Sequence, residues 1–138
     1  MRFWDSSALV PLCLTQPASE QVRRWYDSDP ELVVWWGSPV ECASAVARLH
    51  RERVIDVDGA GAARVVLDRL AESWYEVEPG TSVREQALRL LRLHPLRSAD
   101  ALQLAAALEW AGIPPQGPFV TLDDRLAEAA RREGFSSP

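Results

Sequence analysis

Residues 2–13 read Arg-Phe-Trp-Asp-Ser-Ser-Ala-Leu-Val-Pro-Leu-Cys, and this stretch carries the pattern that decides the fold. Arg2 to Asp5 predicts a short strand, and the Asp-Ser-Ser turn leads directly into an apolar helix that ends near Cys13. Strands followed by helices recur along the whole chain. This alternation predicts an α/β fold with a mainly parallel central sheet.

Beyond this first unit, the sequence predicts three more strands, at residues 31–36, 75–77 and 119–122. It predicts helices at residues 17–27, 39–53, 59–74, 83–94, 98–110 and 124–132. The segment Gly37-Ser38-Pro39 is typical of a helix start, with Ser38 as the N-cap and Glu41 completing a capping box. No repeat or charge block divides the sequence, so we expect a single domain over residues 1–138.

The composition is that of an ordinary globular protein, with 47% hydrophobic and 25% charged residues. The longest apolar run, Ala8 to Leu14, is far shorter than the roughly 20 residues that cross a bilayer. A carboxylate at position 5 also argues against a signal peptide. We therefore expect a cytoplasmic protein that makes no membrane contact.

The charge balance is 20 acids against 15 bases, a net charge of −5, and every base is an arginine. A negative chain does not bind nucleic acid through a broad basic surface, but it can hold phosphates through metal ions bound by carboxylates. The two cysteines, Cys13 and Cys42, and the two histidines follow no zinc-binding spacing. With so few histidines, we expect any catalysis to depend on carboxylates.

Four acids stand where predicted helices begin: Asp5, Glu41, Asp100 and Asp123, the last with Asp124 beside it. In a parallel sheet the strands feed into helices at one edge, where ligands bind, so these acids are expected to converge there. Helix capping alone is the simpler explanation of any one of them, because the first turn of a helix favours acids. As a set they indicate more, since clustered carboxylates repel one another unless a cation neutralises them. Hard oxygen ligands without Cys or His favour Mg²⁺ or Mn²⁺.

The segments around these acids resemble the PIN-domain ribonucleases, and specifically the VapC toxins of toxin–antitoxin pairs. The matching segments are residues 3–10, 38–48, 97–107 and 119–130, which lie in order and span nearly the whole chain. The resemblance implies a PIN-like three-layer α/β/α fold and an RNA-cleaving enzyme. It also implies that Asp5, Glu41, Asp100 and Asp123 bind Mg²⁺ or Mn²⁺.

The resemblance further implies that Ser6 lies near the first acid and Thr121 near the last. Asp123 is preferred to Asp124 because the family's Thr-x-Asp pattern aligns on it. Gln103 stands where many members of the family have histidine.

Other residues beside the acids suggest contacts with RNA. Arg97 and Arg125 are candidates for phosphate contacts, with salt bridges to the acids as the alternative. Trp4 and Trp36 could stack on a base, although core packing is the commoner use of tryptophan.

The resemblance also implies partners: an RNA substrate, a VapB-type antitoxin and a second copy of the chain in a homodimer. Apolar residues on several helices, including Val22, Trp25, Val65 and Leu126, exceed what one small core needs and favour the same dimer. The run from Ala8 to Leu14 offers a groove for an amphipathic antitoxin helix, with core packing as the alternative.

Two other classes of protein were considered. A phosphatase of the haloacid-dehalogenase type requires a second Asp two residues after Asp5 and a lysine, whereas position 7 is Ser7 and no lysine is present. The stronger alternative is a PIN-like protein-binding module without catalytic activity, whose acids act only as helix caps.

Overall fold

A computed structural model describes all residues from 1 to 138, which form seven helices and four strands. Along the chain these are β1 (Arg2–Trp4), α1 (Ser6–Cys13), α2 (Ser19–Ser28), β2 (Leu32–Trp35), α3 (Ser38–Arg51), α4 (Val57–Ala71), β3 (Tyr75–Val77), α5 (Thr81–Leu93), α6 (Ser98–Ala111), β4 (Phe119–Val120) and α7 (Asp124–Arg132). Each predicted element is present in the predicted order, with boundaries that differ by a few residues. None of the helices combines the length and the apolar character needed to cross a membrane.

The four strands form one sheet in the order β3-β2-β1-β4, and every neighbouring pair is parallel. In the centre of the sheet, Phe3 of β1 pairs with Val33 on one side and with Phe119 on the other. Because all strands run the same way, their carboxyl ends share one edge of the sheet. The predicted parallel sheet is therefore confirmed, and it contains no antiparallel strand.

Successive residues of each strand face opposite sides of the sheet, as the period of two requires. Phe3 belongs to a core with Val33 and Phe119 under α5, α6 and α7, whereas Trp4 belongs to a second core under α1, α2, α3 and α4. Helices thus cover both faces of the sheet. The three-layer α/β/α architecture expected from the resemblance is confirmed.

Helix α6 contributes more buried residues than any other helix of the fold. Its buried residues are Ala101, Gln103, Leu104, Ala105, Ala106, Ala107 and Leu108. A helix that is apolar almost all round has to lie inside the protein, and the small alanines allow the sheet and α5 to approach closely. This position brings the first turn of α6, with Asp100, to the carboxyl edge of the sheet.

The predicted cap of α3 is wrong. Gly37 is the N-cap, Ser38 is the first helical residue, and Glu41 makes no capping hydrogen bond. Any side chain at Gly37 would collide with the indole of Trp35, because an added Cβ would lie 2.5 Å from Nε1. The helix thus starts one residue earlier than predicted, and the contact with Trp35 explains why residue 37 is a glycine.

Two other expectations also need correction. Helix α4 begins at Val57 rather than at Gly59, because the Asp56 carboxylate caps it by accepting a hydrogen bond from the amide of Gly59 at 2.7 Å. Val22 and Leu126, predicted to be surplus apolar surface, are both completely buried. These two residues belong to the two cores and give no support to a dimer.

Candidate metal centre

Asp5 lies directly after β1, and its side chain is held almost entirely inside the protein, with 4% of the residue exposed. It is the N-cap of α1, and its Oδ2 accepts hydrogen bonds from the amide and hydroxyl of Ser7 and from the hydroxyl of Thr121. Its Oδ1 has only a 3.5 Å contact with the hydroxyl of Ser6. One oxygen is therefore anchored, and the other is available to a ligand.

Glu41 lies in the first turn of α3 and is tied to two other segments. Its Oε2 accepts a hydrogen bond from the hydroxyl of Ser6 at 2.9 Å, and its Oε1 accepts one from Nε2 of Gln103 at 3.1 Å. Ser6 directly follows Asp5, so the first two acid-bearing segments are joined through one hydroxyl. The structure brings Asp5 and Glu41 to the same place.

Asp100 lies in the first turn of α6, where its Oδ2 accepts a hydrogen bond from the amide of Arg97 at 3.2 Å. The negative charge of Asp100 raises the pKa of both Asp5 and Glu41, and Asp5 also raises that of Glu41. These three acids are thus close enough to repel one another.

Burial is the largest cause of the raised pKa of both Asp5 and Glu41. For Asp5, hydrogen bonds from Ser7 and Thr121 offset part of the rise; for Glu41, those from Ser6 and Gln103 do so. None of the ion pairs in the protein involves either acid, or Asp100. The cluster therefore lacks a positive charge of its own.

Asp123 lies after β4 and differs from the other three acids, because its side chain is exposed. Its Oδ1 accepts a hydrogen bond from the amide of Leu126 at 2.8 Å, which makes it the N-cap of α7. Its own amide donates to the hydroxyl of Thr121, the same hydroxyl that binds Asp5. The backbone of Asp123 is thereby connected to Asp5, while its carboxylate is engaged in capping.

No group of three or more His, Cys, Asp or Glu side chains is arranged to hold a metal ion in the structure as it stands. Asp5, Glu41 and Asp100 are electrostatic neighbours, but they do not form a closed ligand set.

Capping explains some of the acids but not all of them. Asp5 and Asp123 are true N-caps, and Asp100 accepts a backbone amide at the start of α6. Glu41 binds only side chains. Asp124, the alternative to Asp123, is the first residue of α7 and does not cap it.

The sequence did not predict that Ser7 and Gln103 bind the acids, and the proposed stacking role of Trp4 is wrong. Ser7 binds Asp5 through two donors, and Gln103 reaches Glu41 from another helix. The hydroxyl pair after Asp5 was a readable signal for the first contact, whereas the second depends on packing. Trp4 is completely buried and cannot stack on a base, while Trp36 is 51% exposed.

An apolar groove of about 610 Å³ lies between α1, α3 and α4. Its lining includes Val10, Val46 and Leu67, with His50 and Arg64 among its polar residues. Most of the run from Ala8 to Leu14 is buried, which confirms core packing as the main use of these residues. Within this run, only Val10 and Cys13 line the groove.

Comparisons with known proteins agree on one family. A family model described as the PIN domain matches residues 2–132. Ribonuclease VapC35 of Mycobacterium tuberculosis is 32% identical over 133 residues, which cover 94% of this chain and 90% of that protein, in each of two strains.

Two solved structures share the fold. VapC20 of Mycobacterium tuberculosis, described as a sarcin–ricin loop cleaving toxin, has a TM-score of 0.68 at 19% identity, covering 100% of this chain and 98% of its own. FitAcB from Neisseria gonorrhoeae has a TM-score of 0.66 at 17% identity, covering 95% of this chain and 94% of its own. These likenesses support the three-layer architecture.

Proposed function

The chain belongs to the PIN-domain family, and on that premise we propose that it is a VapC-type endoribonuclease, the toxin of a toxin–antitoxin pair. The observation that carries the proposal is the group formed by Asp5, Glu41 and Asp100, three neighbouring acids with no cationic partner. A sequence relative over nearly the whole chain is named a ribonuclease, which supports the same activity.

The residues of this cluster suit a divalent metal ion. Buried carboxylates whose pKa is raised by burial and by one another are stabilised when a cation joins them. Oxygen donors alone favour Mg²⁺ or Mn²⁺ over zinc. We propose Asp5, Glu41, Asp100 and Asp123 as the metal ligands. When bound, such an ion supplies an activated water and polarises the scissile phosphodiester.

The protein's own part in the reaction is to fix these carboxylates. The three donors on Oδ2 of Asp5 hold its side chain in one orientation and leave Oδ1 free. Ser6 holds Glu41 beside it. Asp123 differs from the other three, since its carboxylate has to keep its capping bond to Leu126 through one oxygen while the other faces the ion.

RNA is the proposed substrate, with unpaired segments favoured over duplex. A water nucleophile does not require the 2′-hydroxyl, so the preference for RNA would come from the shape of the strand. Arg97 and Arg125 are exposed, and neither takes part in an ion pair, so both are available to backbone phosphates. The exposed Trp36 follows β2 and provides a surface on which a base can stack.

A VapB-type antitoxin is the proposed partner that inhibits the enzyme. The apolar groove between α1, α3 and α4 suits the apolar face of an amphipathic helix. A cationic residue of the same partner would pair with the unneutralised acids in place of the metal. We also propose that the chain forms a homodimer, which sedimentation at micromolar concentration tests directly.

The alternative function, a PIN-like binding module without activity, draws support from the caps formed by Asp5 and Asp123. It leaves Glu41 unexplained, because that acid caps nothing and is nevertheless held between two side chains. Cleavage of single-stranded RNA by the purified protein, with and without Mg²⁺, separates the two proposals. An inactive module cuts no RNA under either condition.

A further inference from the structure

Gln103 is a completely buried amide in the middle of α6, one helical turn beyond Asp100. Its Nε2 donates hydrogen bonds to Oγ of Ser38 and to Oε1 of Glu41, both at 3.1 Å. Its Oε1 is buried and has no hydrogen-bond partner. The amide is therefore satisfied on the side of Glu41 and unsatisfied on the other side.

The charge of Glu41 fixes which way round this amide lies. An ionised carboxylate only accepts hydrogen bonds, so the nitrogen of Gln103 has to face it and the oxygen has to point elsewhere. A buried acceptor without a partner destabilises the folded protein. An apolar side chain at this position would avoid that cost but would leave Ser38 and Glu41 without their donor, so the hydrogen bonds to these two residues account for glutamine here.

We infer that Gln103 is a positioning residue for Glu41, which it holds in the orientation that a divalent ion requires. This inference rests on the proposed metal site. Gln103 occupies one lone pair on Oε1 of Glu41, and Ser6 occupies one on Oε2. Each carboxylate oxygen has two lone pairs, so one on each oxygen stays available to the ion.

The placement of Gln103 also couples two of the acid-bearing helices. Asp100 and Gln103 share α6, while Ser38 and Glu41 share the first turn of α3. The two hydrogen bonds of the amide therefore link these two helices beside their acids. Through this contact, a change at residue 103 would reach the metal by moving Glu41.

The test compares three variants by calorimetric titration with Mg²⁺ and by thermal unfolding of the metal-free protein. Gln103→Met keeps the length of the side chain but removes both the donor and the unpaired acceptor. We expect its Mg²⁺ affinity to fall about tenfold or more, as is typical when a partner of a metal ligand is lost. The melting temperature of the metal-free variant should change little, because removal of the unsatisfied oxygen offsets the loss of the two hydrogen bonds to Ser38 and Glu41.

Gln103→His is the conservative variant, since a ring N–H can still donate to Glu41, and its Mg²⁺ affinity should stay within about threefold of the wild type. Gln116→Met is the control, because Gln116 is exposed and its amide binds only the carbonyl of Pro114. That control should change neither measurement.

The inference is overturned if Gln103→Met binds Mg²⁺ as tightly as the wild type, or if the His variant is as weak as the Met variant. Should Gln103→Met fail to fold, Gln103→Leu carries the same expectation, and loss of the fold in both would assign Gln103 to the core alone. A wild-type protein that binds no Mg²⁺ also overturns it. A protein that binds Mg²⁺ but cuts no RNA would refute the proposed function and leave this inference standing.

Discussion

The hydroxyl of Thr121 lies 2.9 Å from Oδ2 of Asp5, 116 residues away in the chain, and it also accepts the amide of Asp123 at 3.1 Å. One side chain thus connects the ends of β1 and β4, the two strands that lead into the first and last of the proposed metal ligands. The contact explains why the residue after β4 has a hydroxyl. It also makes the position of Asp123 dependent on Asp5.

Removal of the charge on Asp5 should not unfold the metal-free protein. Burial raises the pKa of Asp5 above 3.8. The folded protein therefore loses stability as the pH rises from 3.8 through the raised value, and this loss persists at higher pH. Asp5→Asn removes that cost and keeps a residue that caps well. In EDTA its melting temperature at neutral pH should equal or exceed that of the wild type, and Mg²⁺ should no longer raise it. A large loss of stability in EDTA would contradict this account of the site.

Asp123 should contribute to the stability of α7 and to Mg²⁺ binding, whereas Asp124 should contribute little to either. Asp123→Ala removes the N-cap of α7 and should lower the free energy of unfolding by about 0.5–2 kcal/mol. Asp123→Asn retains the cap and should weaken only the binding of Mg²⁺. Asp124→Asn is the matched control, and it should leave both chemical denaturation and metal titration nearly unchanged. If Asp124→Asn weakened metal binding and Asp123→Asn did not, Asp124 and not Asp123 would be the metal ligand.

Glu133 should give the protein a pH-dependent part of its stability. Its burial raises the pKa, but hydrogen bonds and charges from Arg89 and His94 outweigh burial and lower it below 4.5. The contribution is therefore fully present above pH 4.5 and is lost as the pH falls through the lowered value. Glu133→Gln should lower the free energy of unfolding at pH 7 by about 1–3 kcal/mol, with little difference in strong acid.

Glu128→Gln is the control for Glu133, because Glu128 pairs with Arg131 and Arg132 at the surface. Exposed pairs of this kind contribute about 0–1 kcal/mol, so this variant should scarcely change the denaturation midpoint at any pH. Equal effects of the two substitutions would show that Arg89 and His94 stabilise the protein through Glu133 no more than an exposed ion pair does.

The apolar groove should be needed for inhibition but not for the fold. Val57 lines the groove and is 69% exposed, whereas Val54 is 66% exposed and lies outside its lining. Val57→Glu should weaken binding of the proposed VapB-type antitoxin, since a charge would be buried in the interface. Val54→Glu should bind it normally. If a calorimetric titration gave both variants the same affinity for the antitoxin, the antitoxin would not bind in this groove.

The sequence predicted the fold well because its signals are local. An apolar strand, an acid and an apolar helix follow one another at Asp5, and similar junctions recur at the other strands. The two helix starts that differ from the prediction depend on side-chain contacts that the residue pattern does not reveal, whether local, as between Asp56 and Gly59, or distant, as between Ser38 and Gln103. The indole of Trp35 leaves no room for a side chain at the N-cap Gly37, and Ser38 is turned toward Gln103 instead of the backbone.

The site was predicted as four equal acids, and the structure separates them. Asp5, Glu41 and Asp100 come together at the edge of the sheet, and the carboxylate of Asp123 caps a helix. Sequence spacing does not reveal whether an acid at a helix start faces a neighbour or its own backbone. Nor does it show that Val22 and Leu126 are completely buried, because an amphipathic pattern does not say how deep a side chain lies.

The proposed reaction is cleavage of RNA by these carboxylates through a divalent metal ion. The most direct test is cleavage of a labelled single-stranded RNA by purified protein treated with EDTA and then supplied with Mg²⁺ or Mn²⁺. Asp5→Asn, purified in parallel, reports any contaminating nuclease. We expect no cleavage in EDTA, recovery when metal is added and no activity in the variant at any metal concentration. Cleavage by the wild type at full rate in EDTA, with none by the variant, would contradict the metal mechanism.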